Sequence, residues 1–160
     1  MTMSAIVIRE CSADELANAS NFDALCAEYA AESGRMPEFG EPKVDIDAYR
    51  AMEAAGVAHF LGVWNVGAYR DELVGFGVVT LSTLPHFSKR IGCLISFFVA
   101  ANARNGSAGT RLREAAERIA SENGAAGLMI SAPCESRLDV ILPRSGYRAT
   151  NRMYFKGFAQ

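Results

Sequence analysis

The sequence predicts a single domain of the α/β class, built on one mixed β-sheet. Residues 58–66 and 73–84 are β-rich runs separated by a short polar connection, which is the pattern of two adjacent antiparallel strands. Residues 93–133 then run strand, loop, helix and strand, which is a βαβ unit whose two strands lie parallel. The chain has 160 residues, 50% of them hydrophobic, which suits one well-filled core, so we predict a single domain over residues 1–160.

The N-terminal part predicts one strand followed by two helices. Residues 6–10, Ile-Val-Ile-Arg-Glu, are expected to form a strand. Ser12 and Glu15 have the S-x-x-E spacing of a capping box, which predicts one helix that ends before a turn-rich stretch with two prolines. After Asp45, apolar residues recur every three positions until Gly56, a residue type that commonly terminates helices, so a second helix is expected between them.

The C-terminal part predicts three further strands and two helices. A loop over residues 85–92 leads to the run 93–100, whose continuous apolar residues indicate a strand covered on both faces and therefore the centre of the sheet. The elements expected after the next loop are an amphipathic helix ending at Asn123, a buried strand over 127–133, a short helix over 136–143 and a last strand over 147–155.

Charge and composition exclude several classes of partner. The net charge of -2 argues against a surface that neutralises nucleic-acid phosphates or an anionic membrane. No apolar run approaches the roughly 20 residues that span a bilayer, and the first ten residues lack the pattern of a signal peptide, so a cytoplasmic protein is expected. A metal site is not expected, because the cysteines are widely spaced and have no CxxC pair: Cys11, Cys26, Cys93 and Cys134.

The most specific stretch is the small-residue loop that opens directly into the amphipathic helix. Its residues are Asn105, Gly106, Ser107, Ala108 and Gly109, all compact enough for close approach to the backbone. The start of a helix has unpaired N–H groups and a partial positive charge, so such a loop suits an anion, especially a phosphate. The alternative is a tight strand-to-helix connection that needs glycine for its dihedral angles.

Two other phosphate-binding motifs do not fit this loop. A Walker loop ends in Gly-Lys-Ser/Thr, whereas Gly109 is followed by Thr110 and Arg111. A dinucleotide-binding fingerprint needs three spaced glycines, and this loop has two, at other positions. The loop therefore belongs to a different class of anion site, or to none.

The stretch resembles the signature of the GCN5-related N-acetyltransferases. That signature is a strand ending in valine or a similar residue, an Arg/Gln-x-x-Gly-x-Gly/Ala loop, and a helix rich in Leu, Ala and Glu. Val99, Arg104 and Gly109 match it, as does the helix through Glu117. The order of predicted elements is also similar over nearly the whole chain, and residues 145–147, Ser-Gly-Tyr, stand where the family often has Leu-Gly-Phe.

The resemblance implies an acyl-CoA N-acyltransferase fold, a central mixed sheet flanked by helices in which two parallel strands splay apart and admit acetyl-CoA. It also implies direct transfer of the acetyl group to a primary amine of a small molecule or peptide, and a homodimer in which terminal strands meet. Loop amides would bind the cofactor pyrophosphate, and strand edges would bind pantetheine and polarise the thioester carbonyl. The implied cofactor-binding residues are Phe98, Val99, Arg104, Asn105, Gly106, Ser107, Ala108, Gly109 and Thr110.

The sequence departs from the family pattern at several positions. Ser107 replaces a loop glycine, and Leu142 stands where a tyrosine often serves as the acid for the thiolate. Glu135 lies near the place of a frequent asparagine, Pro143 alters the short helix, and residues 93–100 contain no acidic residue to act as base. Two alternatives therefore stay open: a non-catalytic acyl-CoA-binding or regulatory module, and a structural protein without a cofactor.

The loop between the first two predicted helices supplies candidates for the acceptor side. The resemblance implies that this loop borders the acceptor site, so Glu38 or Glu41 would activate the amine, directly or through water. Arg35, Met36 and Phe39 would shape acceptor recognition. The alternative for the two glutamates is a solvated surface position.

Three further residues have the chemistry of an acid or base. His86 precedes the signature strand and carries an imidazole, the side chain most often used as a base near neutral pH. Tyr147 and Tyr154 carry phenols that would donate a proton to the thiolate, and their alternative is packing on the last strand. We take His86, Glu38 and Tyr154 as the catalytic candidates.

Overall fold

A computed structural model describes residues 5–33, 36–67 and 70–158. Within the described residues the elements are β1 (Ala5–Cys11), α1 (Ala13–Ala17), α2 (Phe22–Glu32), α3 (Ile46–Ala54), β2 (Ala58–Val66), β3 (Glu72–Leu84), β4 (Lys89–Val99), α4 (Ala108–Glu122), β5 (Leu128–Ile130) and α5 (Arg137–Arg144). Short 3-10 turns occur at Pro37–Phe39 and Ala101–Ala103.

The strands form one mixed sheet in the order β1-β2-β3-β4-β5. Neighbours from β1 to β4 are antiparallel, and β5 is parallel to β4 across the crossover helix α4. The predicted β2–β3 pairing and βαβ unit are confirmed. The prediction that β4 lies at the centre is wrong, because β3 holds that position. A continuous apolar run indicates that a strand is covered on both faces. The helices cover both faces of β4, although β4 does not lie in the middle of the sheet.

Two helical layers enclose the sheet. Side chains from successive strand residues point to opposite faces, so Phe60 packs with the buried residues under α1–α3, and Leu61 packs with those under α4. The buried side of α4 is formed by Leu112 and its small neighbours on the same stripe, which brings the helix close to β4. This places the start of α4 directly beside the end of β4.

The predicted first helix is two helices. Ser12 and Glu15 form the predicted capping box, but α1 ends at Ala17. Asn21 then donates a side-chain hydrogen bond of 2.7 Å to the carbonyl of Leu73 on β3. This hydrogen bond fixes the chain between α1 and α2, and α2 then runs towards β4. Local periodicity cannot report a contact made 52 residues away.

Two elements predicted in the C-terminal part, a loop and a strand, are shorter in the structure. The loop predicted over residues 85–92 is the turn 85–88, because β4 begins at Lys89. The buried strand predicted over 127–133 is limited to Leu128–Ile130, and its side chains are partly exposed because it lies at the edge of the sheet. A strand at an edge has one neighbour, which leaves part of its apolar sequence uncovered.

The last predicted strand, over residues 147–155, is wrong. No strand follows Ile130 within the described part of the chain, and Met153 and Tyr154 are each 89% exposed. A strand needs a neighbouring edge to accept its backbone hydrogen bonds, and the three-residue β5 offers too short an edge. The homodimer expected through terminal strands remains a prediction.

The four cysteines differ in burial, from buried Cys11 to exposed Cys134. Cys11, Cys26, Cys93 and Cys134 are all free thiols. Burial raises the pKa of Cys11 to about 12 and that of Cys26 to about 11, so both are neutral at physiological pH. Among residues 5–33, 36–67 and 70–158, no cluster of His, Cys, Asp and Glu has three members placed to bind a metal, and no helix is long and apolar enough to span a bilayer.

Candidate active site

The site is centred on the carboxyl half of β4, where this strand separates from β5. Parallel pairing is limited to three residues and ends at Leu94 with Ile130. The register between β3 and β4 shifts at the same point, because Ile95 has no opposite residue and forms a β-bulge. From Ile95 to Val99, β4 keeps β3 on one side, and no strand among the described residues pairs with its other side. The predicted splay of two parallel strands is therefore present.

The loop that follows β4 leads its backbone amides to the start of α4. Ser107 is the N-cap, and its carbonyl accepts the first helical hydrogen bond from the Arg111 amide at 2.9 Å. The Ser107 side chain makes no capping hydrogen bond. The first-turn N–H groups, from Ala108 to Thr110, have no acceptor within the helix. They carry the positive end of a 15-residue helix dipole, which is the chemistry of an anion site.

The two loop glycines are not explained by the fold alone. Neither Gly106 nor Gly109 has a φ in the left-handed region. A Cβ added to Gly106 would meet no atom within 4 Å, and one added to Gly109 would be 4.0 Å from the Phe97 ring. The structure gives no support to a tight connection that requires glycine for its dihedral angles. Bare backbone at these positions leaves open space over the helix start.

The signature arginine is held in place by three contacts. Arg104 Nε donates to the Val99 carbonyl at 2.6 Å, and a terminal nitrogen pairs with the Glu32 carboxylate at 2.6 Å. The guanidinium also lies over the Phe98 ring, 5.5 Å from its centroid. These contacts join the loop to the end of β4 and to the last residue of α2. Arg104 thus acts as a brace behind the loop, and the loop amides are the candidate anion donors.

Hydroxyl groups from α2 and α3 approach the splayed part of β4. Tyr29 donates to the carbonyl of the bulged Ile95 at 3.4 Å, and its ring packs against Phe98. Tyr49 is half-buried, and burial raises the pKa of its phenol although a side-chain hydrogen bond with Ser96 on β4 opposes the shift. The sequence analysis missed these groups. The available signal was a tyrosine at an apolar helix position, because a buried phenol requires a hydrogen-bond partner.

The three catalytic candidates lie in different places. His86 is exposed in the turn before β4, and Val99 is at the opposite end of that strand, roughly 30 Å away at 3.3 Å per residue. Glu38 lies in the 3-10 turn, where its carboxyl group fills the space that a Cβ on Gly157 of the C-terminal segment would need. Tyr154 is exposed in that same segment. The structure thus places Glu38 beside the segment that carries Tyr154 and leaves His86 in a separate turn, and the catalytic role of all three remains a prediction.

The other predicted acceptor residues border the same turn. Phe39 is 69% exposed and packs edge-on against Phe155, with 5.3 Å between the ring centroids. Met36 is also exposed, and Arg35 lies outside the described residues. A cavity of about 480 Å³ opens between α2 and the segment before α3, and Glu41 lines it with Asp23.

The side chain of Tyr147 is bound to α4. Its phenol donates to Glu117 on α4 at 2.7 Å, and Arg113 lies over its ring. Burial raises the pKa of Tyr147 to about 12, and the Glu117 carboxylate adds to that shift. The phenol therefore fastens the chain after α5 to α4. Leu142, at the position where the resemblance implies a tyrosine, is a buried core residue.

A second cavity, of about 420 Å³, lies beside residues 105–110, the candidate anion loop, on the side of β1–β3. Asn102, Asn105 and Arg111 contribute polar groups to its wall. Arg111 also donates to the Ile6 carbonyl at 3.0 Å, which ties the first turn of α4 to β1. The loop is therefore supported by α2 on one side and by β1 on the other.

A family model described as "Acetyltransferase (GNAT) family" matches residues 23–136. This range includes the splayed part of β4, the loop and all of α4. A comparison of the sequence with curated proteins gives no match.

Several solved structures are similar to this chain. A ribosomal-protein-alanine N-acetyltransferase from Brucella melitensis biovar Abortus 2308 has a TM-score of 0.68 at 22% identity, covering 97% of this chain and 100% of the other. Glucosamine-6-phosphate N-acetyltransferase from Arabidopsis thaliana has a TM-score of 0.74 at 13% identity, covering 97% and 99%. An aminoglycoside acetyltransferase from an uncultured soil metagenomic sample has a TM-score of 0.73 at 15% identity, covering 98% of this chain and 99% of the other. These likenesses confirm the predicted acyltransferase fold.

Proposed function

Because the chain belongs to the GNAT acetyltransferase family, we propose that it transfers an acetyl group from acetyl-CoA directly to a primary amine. One arrangement carries the proposal: a loop of unpaired amides at the start of α4 lies next to the edge of β4 that has no strand partner among the described residues. The first feature suits a pyrophosphate, and the second suits the amide-bearing arm of the cofactor. Both belong to the same continuous segment, 95–110.

The residues present fit acetyl-CoA in their donor chemistry. The amides of residues 105–110 would hold the pyrophosphate, and Gly106 and Gly109 leave room for close approach. The Val99 N–H faces the side of β4 that has no strand partner and would orient the pantetheine arm there, whereas the backbone groups of Phe98, which was also predicted to bind the cofactor, face β3. When bound, acetyl-CoA supplies an activated thioester. The backbone donors at the bulge are fixed before the reaction and would stabilise negative charge on its carbonyl oxygen.

The acceptor amine must lose a proton to a base, and the leaving thiolate must gain a proton from an acid. Glu38 and Glu41 are the proposed bases on the acceptor side, with His86 and Tyr154 as the other candidates for acid or base. Tyr29, Tyr49 and Ser96 add hydroxyls beside the bulge, where they would relay a proton. The similar structures named above support an amine acceptor, since their names specify a ribosomal-protein alanine, glucosamine-6-phosphate and an aminoglycoside.

Calorimetric titration tests the proposal. We expect acetyl-CoA to bind and acetyl-pantetheine, which lacks the pyrophosphate, to bind much more weakly. Thiol release should then appear with at least one member of a panel of primary amines. Tight binding without thiol release across the panel would favour the non-catalytic acyl-CoA-binding module. No binding to a folded sample would favour a structural protein without a cofactor.

Substitution of Tyr147 separates the structural role of its phenol from catalysis. Tyr147→Phe removes the hydrogen bond to Glu117, so the free energy of unfolding should fall by about 1 kcal/mol. The rate of thiol release should stay within about twofold, because removing a general acid typically costs about a hundredfold or more. Urea denaturation and steady-state kinetics measure the two effects. A loss of kcat on that larger scale, with KM unchanged, would contradict this assignment.

A further inference from the structure

The edge of β4 that lacks a strand partner is instead held by α2. Tyr29 and Glu32 are three residues apart, so they lie on neighbouring positions of one helix face. Tyr29 donates to the Ile95 carbonyl at the start of the unpaired stretch. Glu32 reaches its end through Arg104, whose guanidinium is bonded to the Val99 carbonyl. Two side chains of one helix thus span the stretch from the bulge to the anion loop.

We propose that Glu32 is a positioning residue for the anion loop, acting through Arg104 to hold the loop amides in the conformation that receives the pyrophosphate. The inference rests on the proposed function and assigns a role to a residue outside the signature. Glu32 touches neither the amides nor the edge of β4 itself. Its carboxylate fixes the guanidinium, and the guanidinium fixes the chain on both sides of residues 100–103.

The geometry favours a brace over a competitor for the pyrophosphate. Arg104 makes its contacts with Val99, Phe98 and Glu32, all on the β4 and α2 side of the loop. A charge-assisted bond of 2.6 Å to the Val99 carbonyl holds the guanidinium to the strand end. Removing the Glu32 charge releases the connection to α2 and returns rotamer freedom to the arginine, which loosens the loop.

The first test uses no cofactor. Hydrogen exchange of the hydrogen-bonded amides on either side of the unpaired ones, those of Ala103, Arg104 and Arg111, should be faster in Glu32→Gln than in the wild type. Glu28→Gln is the matched control, because Glu28 is an exposed glutamate one turn earlier on α2 and undergoes the same change of charge. Faster exchange in Glu32→Gln alone supports the brace. Unchanged exchange in Glu32→Gln, or the same increase in both variants, overturns it.

The second test measures affinity. Glu32→Gln should weaken acetyl-CoA binding about threefold to tenfold, the scale of a partly exposed ion pair, and leave acetyl-pantetheine binding unchanged. In an Arg104→Gln background the same substitution should have an effect below about 1.5-fold, since a residue that acts through Arg104 has nothing left to hold. Tighter acetyl-CoA binding in Glu32→Gln would make Glu32 a competitor and overturn the proposal, as would an equal loss for both ligands.

The proposed function and this inference fail in different ways. If the folded wild-type protein does not bind acetyl-CoA, the proposed function fails, and the positioning role fails with it. If the wild type binds acetyl-CoA and Glu32→Gln binds it equally well, the inference fails and the proposed function stands.

Discussion

Replacing Gly109 by glutamate is expected to abolish acetyl-CoA binding and leave the fold intact. The new side chain has room, because an added Cβ would be no closer than 4.0 Å to the Phe97 ring. A glutamate in the first turn of α4 also has better helix propensity than glycine and a favourable position in the helix dipole. The same carboxylate would occupy the space proposed for the pyrophosphate and repel it, so we expect affinity to fall at least about a hundredfold.

Thermal denaturation and calorimetry measure the two halves of this prediction. The melting temperature of Gly109→Glu should equal or exceed that of the wild type. Gly109→Gln is the matched control, because it adds the same bulk without the charge and should retain more affinity than the glutamate variant. Unchanged acetyl-CoA affinity in Gly109→Glu would move the anion site away from this loop.

Gly75→Ala is expected to be the most damaging single-methyl substitution at the site. Gly75 lies on β3 opposite Val99, and an added Cβ would be 2.5 Å from the Phe98 carbonyl oxygen and 3.1 Å from the Val99 Cα. Backbone atoms cannot rotate away as side chains do, so the two strands must move apart. We expect a loss of about 2–3 kcal/mol in the free energy of unfolding, together with weaker acetyl-CoA binding.

Gly77→Ala provides the control on the same strand. Its added Cβ would meet the ends of two flexible side chains, Leu112 at 3.3 Å and Leu94 at 3.6 Å. These can shift by a few tenths of an ångström, so the cost in urea denaturation should be well below that of Gly75→Ala. Equal stability of the two variants would show that the close approach of β3 to the end of β4 is not what requires glycine at position 75.

The departures from the family pattern have different structural meanings. Ser107 is the N-cap of α4, where serine is a common residue, so this replacement is compatible with the helix start. Leu142 fills the core, and the nearby phenol of Tyr147 is bonded to Glu117, so the described C-terminal part supplies no free tyrosine at that place. The missing acid is therefore the feature that most needs the kinetic experiment.

The C-terminal segment shows how a correct local pattern leads to a wrong element. Residues 147–155 have the composition of a strand, yet none of them pairs with a strand in the structure, and residues 148–155 are exposed. Pairing depends on a free edge of sufficient length, which the segment does not itself encode. The same limit explains why the sequence analysis placed Tyr154 in a strand near the site and the structure places it in solvent.

The sequence by itself determined the fold class, the βαβ unit and the loop from Arg104 to Thr110, because these depend on periodicity and on small residues adjacent in the chain. Tertiary structure alone decided the bulge at Ile95, the break after α1 and the contact between Glu32 and Arg104. These features join segments tens of residues apart. Their energies come from backbone and side-chain groups that come into contact only after the helices have packed on the sheet. No local sequence pattern therefore predicts them.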